Sequence, residues 1–237
     1  MTTDRTESAR PARTVSRRRL TAGSGALTTT LRVPVLAFLV HVVVVFGAAA
    51  AGVAWAASMP PVPAVGYEAR PMTGLGALLV QPLRNWDGVW YAVIAEHGYE
   101  VHPATTAFWP LYPFLLRYGS RLTDWTVPVV GVVLSNMAFL LALIVLHPLV
   151  RIDYGDAVAG RTTWLVALFP TAFFFSATYT EALFLLLTVT AIYFGRTDRW
   201  GLAGLTGLLA GATRNTGFLV LLPLGLLLIR RYGWSPG

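Results

Sequence analysis

From Val33 to Ala57 the chain runs 25 residues without an arginine, lysine or carboxylate. At about 1.5 Å per residue a helix of that length crosses the hydrocarbon core of a bilayer with room for tilt. It is too long for the ~7–15-residue apolar core of a cleaved signal, although "SRRRL" and "AWA" at 54–56 have a signal-like look. An uncleaved first transmembrane helix is the expectation. Further apolar runs follow at 127–150, 162–180, 181–195 and 200–229. Only 12% of the residues are charged, and 55% are hydrophobic. A soluble domain carries about a quarter charged residues, so the chain reads as an all-α, polytopic transmembrane helical bundle.

The net charge of +7 could point to nucleic acid, but its placement argues against that partner. Arg5, Arg10, Arg13, Arg17, Arg18 and Arg19 all precede the first apolar run. They belong to a segment, 1–32, with too few apolar residues to fold, expected to be a disordered basic tail on the cytoplasmic side and attracted to anionic headgroups. Residues 33–233 form the expected membrane domain, and 234–237 the end of what reads as the front part of a longer protein. No cysteine is present, which excludes disulfides and thiolate metal sites.

Arginine placement sets the expected topology. With the N-terminus in the cytoplasm, Arg151, Arg161, Arg196 and Arg199 fall inside, and the arginine-free turn at 178–181 falls outside. The long segment 58–125 is then external. Its opening "MPPVPAVG" is unsuited to helix, and its aromatic middle suits interfacial helices. Arg230 and Arg231 belong inside only if the stretch after Arg199 crosses twice. Two short helices meeting near Arg214 and Asn215 meet that condition, and broken helices are tolerated where they line a protein cavity. Asp87, Glu181 and Arg214 then share the external face.

Each of these has two readings. Asp87, in "NWDGVWYAVIAEHGYE", could be the N-cap of a helix ending at Gly98. It could instead be a carboxylate, partly buried among aromatics, that deprotonates a hydroxyl. Trp86 and Trp90 would serve as interfacial anchors. Glu181 could close a capping box with Thr178 in "TYTE", or be a site residue at a helix end. Arg214 could snorkel to headgroups, or bind phosphate beside exposed helix-end amides. Asp153 and Asp156 are spaced as ordinary loop residues rather than as a metal-binding pair. His97 and His102, near Glu96 and Glu100, match no strong zinc spacing.

Three stretches together, "NWDGVWYAVIAEHGYE…AFWPLYPFLL" (85–116), "FPTAFFFSATYTEALFLLLT" (169–188) and "GLLAGATRNTGFLVLLPL" (207–224), resemble the PIG-V family of mannosyltransferases. In eukaryotes that family adds the second mannose of the glycosylphosphatidylinositol anchor. The resemblance implies a GT-C-type glycosyltransferase with a polyprenyl-phosphate-mannose donor, no cofactor and no metal. Its partners would be membrane lipids and a glycolipid, glycan or protein acceptor, with the chemistry on the non-cytoplasmic face of the cell membrane. It implies Asp87 as catalytic base and Arg214 and Asn215 at the donor phosphate. Trp86, Glu96, His97, Tyr179 and Glu181 would bind sugar or acceptor. Two departures stand out: Asn85 precedes the Trp-Asp where the family often has Arg, with Arg84 one step earlier, and the third block reads Arg214-Asn215-Thr216-Gly217 where the family often has Arg-Ser-Asn-Gly. All basic residues being arginine suggests a GC-rich bacterial genome, in which the acceptor would differ. The chief alternative is a transporter or flippase of a lipid-linked or anionic substrate, using the broken segment at Arg214. A scaffold for another membrane enzyme is a second.

Overall fold

The computed structural model describes residues 24–59 and 72–233. The expected tail through residue 23, the proline-rich stretch after Met59 and residues 234–237 lie outside it. Among the described residues the regular structure is entirely helical. Helix α1 spans Ser24–Ala56, beginning earlier than the expected boundary at Val33. Extending a helix already nucleated by the apolar run adds a bond for each residue fixed, so it continues backward through the alanine, leucine and threonines. Residues Leu31–Ala56 of α1 are long and apolar enough to cross a membrane.

The next long element, α5, spans Val127–Ala167, but Gly155 interrupts it with φ 79° and ψ 174°. His147 Nδ1 lies 3.2 Å from Thr163 Oγ1, sixteen residues on. In an unbroken helix those residues would stand about 24 Å apart, so the chain reverses at Gly155 into two antiparallel arms. Glycine adopts this positive φ without the clash a Cβ would bring. The expected loop at 151–161 is therefore a tight reversal within helix.

The second arm stays helical only to Ala167, and the expected span 162–180 is not one helix. Pro170 cannot donate to a helix and disfavours helical backbone before it. From Leu168 to Thr180 the chain proceeds by turns and a 3-10 segment, Ala172–Phe175. Irregular backbone inside a membrane protein needs protein partners. Ala167 O accepts from His41 Nδ1 of α1 at 2.8 Å. Thr178 N donates to Leu83 O at 2.8 Å, and Ser135 Oγ to Tyr179 O at 3.3 Å. Ser176 Oγ donates to Asn136 Oδ1 at 2.9 Å.

Helices α6 (Glu181–Arg196), α7 (Trp200–Gly211) and α8 (Leu221–Tyr232) then run back and forth. The break expected near Arg214 is present, with the 3-10 segment Asn215–Val220 leading into α8. One end of the bundle gathers charged turns: Arg196 pairs with Asp153, Arg151 with Asp156 at 3.7 Å, and Arg231 with Asp198 at 3.0 Å. The two aspartates near Gly155 are thus engaged by arginines. The opposite end carries Glu181 and Arg214.

The α7–α8 return is tight at one point. A Cβ on Gly217 would stand 2.2 Å from Ala210 O, so Gly217→Ala must push the two strands of backbone apart. Overpacking of this kind costs about 1–3 kcal/mol. Thermal unfolding in detergent will show a lowered Tm for Gly217→Ala. Gly225→Ala, in α8 with nothing within 4 Å, will leave Tm unchanged or raise it.

Between α1 and α5 lie the short helix α2 (Leu75–Leu79), α3 (Asp87–His97) and α4 (Leu111–Thr123). α3 ends at Gly98 as expected, at φ 88° with its N–H on Ile94 O. Arg117 of α4 donates to Ala95 O at 2.6 Å, satisfying a carbonyl that the helix end leaves open. Tyr112 fixes α4 to α5 through Ser135 Oγ at 2.8 Å. Phe114, Tyr118 and Leu122 are exposed at intervals of one helical turn along α4.

Candidate active site

Asp87 is the first residue of α3, and its carboxylate does not cap it. The N-cap position is Trp86, and no side chain makes a capping bond there. Trp86 sits at φ 51° and ψ −121°, a conformation that costs a non-glycine residue about 1–3 kcal/mol. Its indole is 70% exposed. Asp87 is exposed too, against the expectation of partial burial among aromatics. The neighbouring rings pack on one another instead: Tyr91 meets Phe108 and Tyr112 edge-on, and Trp90 stacks on Phe108.

The start of α3 is pressed against the segment leading into α6. A Cβ on Gly88 would stand 3.2 Å from Thr178 O, so a bare backbone there permits the approach. Tyr179 donates its phenol hydrogen to Asn85 O at 2.9 Å. Burial, with the Asp87 carboxylate adding to it, pushes the Tyr179 phenol up to about 12. Tyr91, one turn along α3 from Asp87, is also raised, first by burial and then by the charges of Glu181 and Asp87, with Arg214 opposing them. Both tyrosines are therefore neutral hydrogen-bond donors rather than bases at physiological pH. A raised folded value means that their contribution to stability is complete below the ordinary pKa of 10 and is lost as pH climbs through the folded value. Ultraviolet titration will show a tyrosine step well above the ordinary value of 10 that is missing from Tyr179→Phe.

Glu181 opens α6, where a carboxylate suits the positive end of the helix dipole. The capping box expected with Thr178 does not form: Thr180 takes the cap position without a side-chain bond. Glu181 Oε1 instead accepts from Arg214 Nη1 at 2.6 Å, across 33 residues of sequence. The Arg214 side chain is 38% exposed and that of Glu181 25%, so the guanidinium keeps further donors available. Two buried oxygens here, Thr178 Oγ1 and Glu181 Oε2, have no protein hydrogen-bond partner. A backbone bond from Leu111 N to Ala212 O, 3.1 Å, ties α4 to the α7 turn that presents Arg214. Asn215 follows, exposed.

Tyr91 thus lies within electrostatic reach of Asp87, Glu181 and Arg214. Sequence reasoning missed it, although its place four residues after Asp87 puts it on the same helical face. Thr180, whose Oγ1 lies 3.5 Å from Tyr91 Oη, was missed as well. Glu96 and His97 are not brought to this cluster. They are exposed at the far end of α3, about 15 Å from Asp87 along the helix, and face one another at 3.7 Å. His102 accepts from Ala104 N at 3.1 Å and packs at a tilt against Trp90. Arg84 is buried, with Glu96 exerting an opposite charge on it.

The sequence profile of the family described as Mannosyltransferase (PIG-V) matches residues 75–218, the stretch that contains this cluster. GPI alpha-1,6-mannosyltransferase 2 of Cricetulus griseus is 33% identical over 154 residues, covering 60% of this chain and 30% of that protein. GPI mannosyltransferase 2 of Cryptococcus neoformans var. neoformans is 34% identical over 151 residues, covering 57% and 34%. The human GPI alpha-1,6-mannosyltransferase 2 is 30% identical over 162 residues, covering 60% and 32%. The chain thus matches about a third of the length of these curated relatives. No solved structure matches it. A profile match running from α2 through Arg214, over more than half of the residues, makes the chain a member of the PIG-V mannosyltransferase family.

Proposed function

We propose that the protein is a multi-pass membrane mannosyltransferase that moves mannose from polyprenyl-phosphate mannose to a glycolipid or glycan acceptor, with inversion. The observation that carries this reading is that the start of α3, with Asp87, packs on the turn into α6, whose Glu181 holds Arg214 at 2.6 Å. The N-terminus and the turns that carry Arg151, Arg161, Arg196 and Arg199 face the cytoplasm, and the cluster faces the other side.

Asp87 takes the proton of an acceptor hydroxyl as that oxygen forms its bond to the anomeric carbon. The carbon–phosphate oxygen bond breaks with its electron pair, releasing polyprenyl phosphate. Phosphate leaves without protonation, so one carboxylate suffices where an inverting glycosidase needs two. Exposure suits Asp87 to this task, since the acceptor can reach it. Arg214, held by Glu181 and flanked by Asn215, stabilises the charge growing on the phosphate. Glu181 and Tyr179 orient the sugar hydroxyls, and Trp86 offers a ring face to the sugar. Glu96 and His97 meet a more distant part of an extended acceptor. The residues do this work without a cofactor or metal.

The test supplies radiolabelled polyprenyl-phosphate mannose to membranes with and without the protein. Label should pass to a new lipid or glycan product. Donor recovered unchanged on the far side of sealed vesicles would instead establish the transporter.

A further inference from the structure

α1 carries a polar side chain at the depth where one is hardest to house. His41 stands within the candidate span Leu31–Ala56 and is the only ionisable residue between Val33 and Ala54. It is 1% exposed. A polar group buried there is costly unless it is bonded, and one kept inside a membrane bundle is by default a working residue. The mechanism above gives it no task.

Both ring nitrogens of His41 are engaged. Nδ1 donates to Ala167 O at 2.8 Å, since a carbonyl can only accept. Nε2 lies 2.9 Å from Ser176 Oγ. Asn136 of α5 gives its amide hydrogen to Val132 O at 2.8 Å, which turns its Oδ1 to the same Ser176 Oγ, 2.9 Å away. The ring itself packs on Phe139, with centroids 4.6 Å apart. Ala167 is the last helical residue of the second α5 arm, and Ser176 directly follows the 3-10 segment Ala172–Phe175. One side chain of α1 thus ties together the two ends of the irregular stretch.

Beyond Ser176 lies the turn against which the cluster is built. Thr178 N donates to Leu83 O at 2.8 Å, and Tyr179 Oη to Asn85 O at 2.9 Å. The segment that carries Trp86 and Asp87 therefore takes its place from this turn. Glu181, which holds Arg214, opens α6 just beyond it. We propose that His41 is a positioning residue for transfer: it touches no substrate, but by fixing Ser176 it sets where Asp87 and Glu181 stand relative to one another. The assignment rests on the roles given above to those two residues.

The test compares His41→Leu, His41→Asn and His41→Gln in the full chain, in membranes supplied with radiolabelled polyprenyl-phosphate mannose. Leucine fills the space and removes both bonds, asparagine reaches the Nδ1 position, and glutamine reaches the Nε2 position. Misplacing reacting groups by about 1 Å costs about 100-fold in rate. His41→Leu should therefore lower kcat about 10–100-fold and leave KM for the donor nearly unchanged. His41→Gln, which still meets Ser176, should recover most of that loss, and His41→Asn little of it. A second readout needs no turnover. The high-pH tyrosine step that Tyr179→Phe abolishes should move toward the ordinary value in His41→Leu and stay in place in His41→Gln. Near-wild-type kcat in His41→Leu overturns the proposal. So does a rate loss that follows Tm alike in all three variants with the tyrosine step unmoved, which makes His41 a tie between helices only. Should His41→Leu fail to fold, the other two variants decide, and equal rates in them overturn the proposal. A wild type that transfers no mannose refutes the enzymatic reading, whereas a moved tyrosine step would still show His41 holding this turn.

Discussion

Asp87→Asn lowers mannose transfer by on the order of 10²–10⁴-fold, the range a positioned general base supplies, and leaves the fold in place. The substitution keeps size and removes only charge and basicity. Two magnitudes separate this outcome from simple unfolding. Asp87 is exposed and makes no capping bond, so losing its charge at the start of α3 costs about 0.3–1 kcal/mol. A tenfold rate loss corresponds to about 1.4 kcal/mol of barrier, so the expected defect is several times any stability change. The measurement pairs initial rates with thermal unfolding in the same detergent. Asp87→Glu, which keeps the base but moves it by one methylene, should retain a part of the activity. Near-wild-type incorporation by Asp87→Asn would remove Asp87 from the mechanism.

The elements that were legible in sequence are those governed by composition or local punctuation. α1 follows from one uninterrupted apolar run, the end of α3 from Gly98, and the break before Asn215 from a cation and a glycine inside an apolar stretch. What was not legible has a common physical cause. "LFPTAFFFSATYT" has the hydrophobicity of a spanning helix, yet it is irregular because distant partners, Leu83 and the α5 residues Ser135 and Asn136, satisfy part of its backbone. Only Pro170 hinted at this. "TYTE" is a capping-box pattern, yet its glutamate is taken by an arginine 33 residues away. A charge-assisted bond to a guanidinium outweighs a bond to a single backbone N–H. For the cluster itself, sequence could place Asp87, Glu181 and Arg214 at one end of the bundle. It could not show that Glu181 holds Arg214, or that Asp87 stands exposed beside a strained Trp86.

That ion pair carries the second large effect. If Glu181 holds Arg214 toward the donor phosphate, the two residues act as one unit and their losses will not add. Arg214→Ala removes the cation and should slow transfer about 10²–10³-fold, the size seen when one donor to a developing oxyanion is lost. Glu181→Ala leaves the guanidinium in place but free to swing, and should cost about as much in kcat. The double variant should then be little slower than either single one, a coupling of more than about 1 kcal/mol between contacting groups. Glu181→Gln separates geometry from charge: its amide oxygen can still accept from Arg214, so it should recover part of the rate that Glu181→Ala loses. Arg214→Lys should recover less, because an ammonium lacks the fork that binds Glu181 and phosphate together. A merely structural pair would show the opposite pattern, with rate losses tracking Tm across all four single variants and the double variant as unstable as the sum. Additive rate losses at unchanged Tm would mean that the two residues meet the substrate independently, with Glu181 acting on the sugar alone.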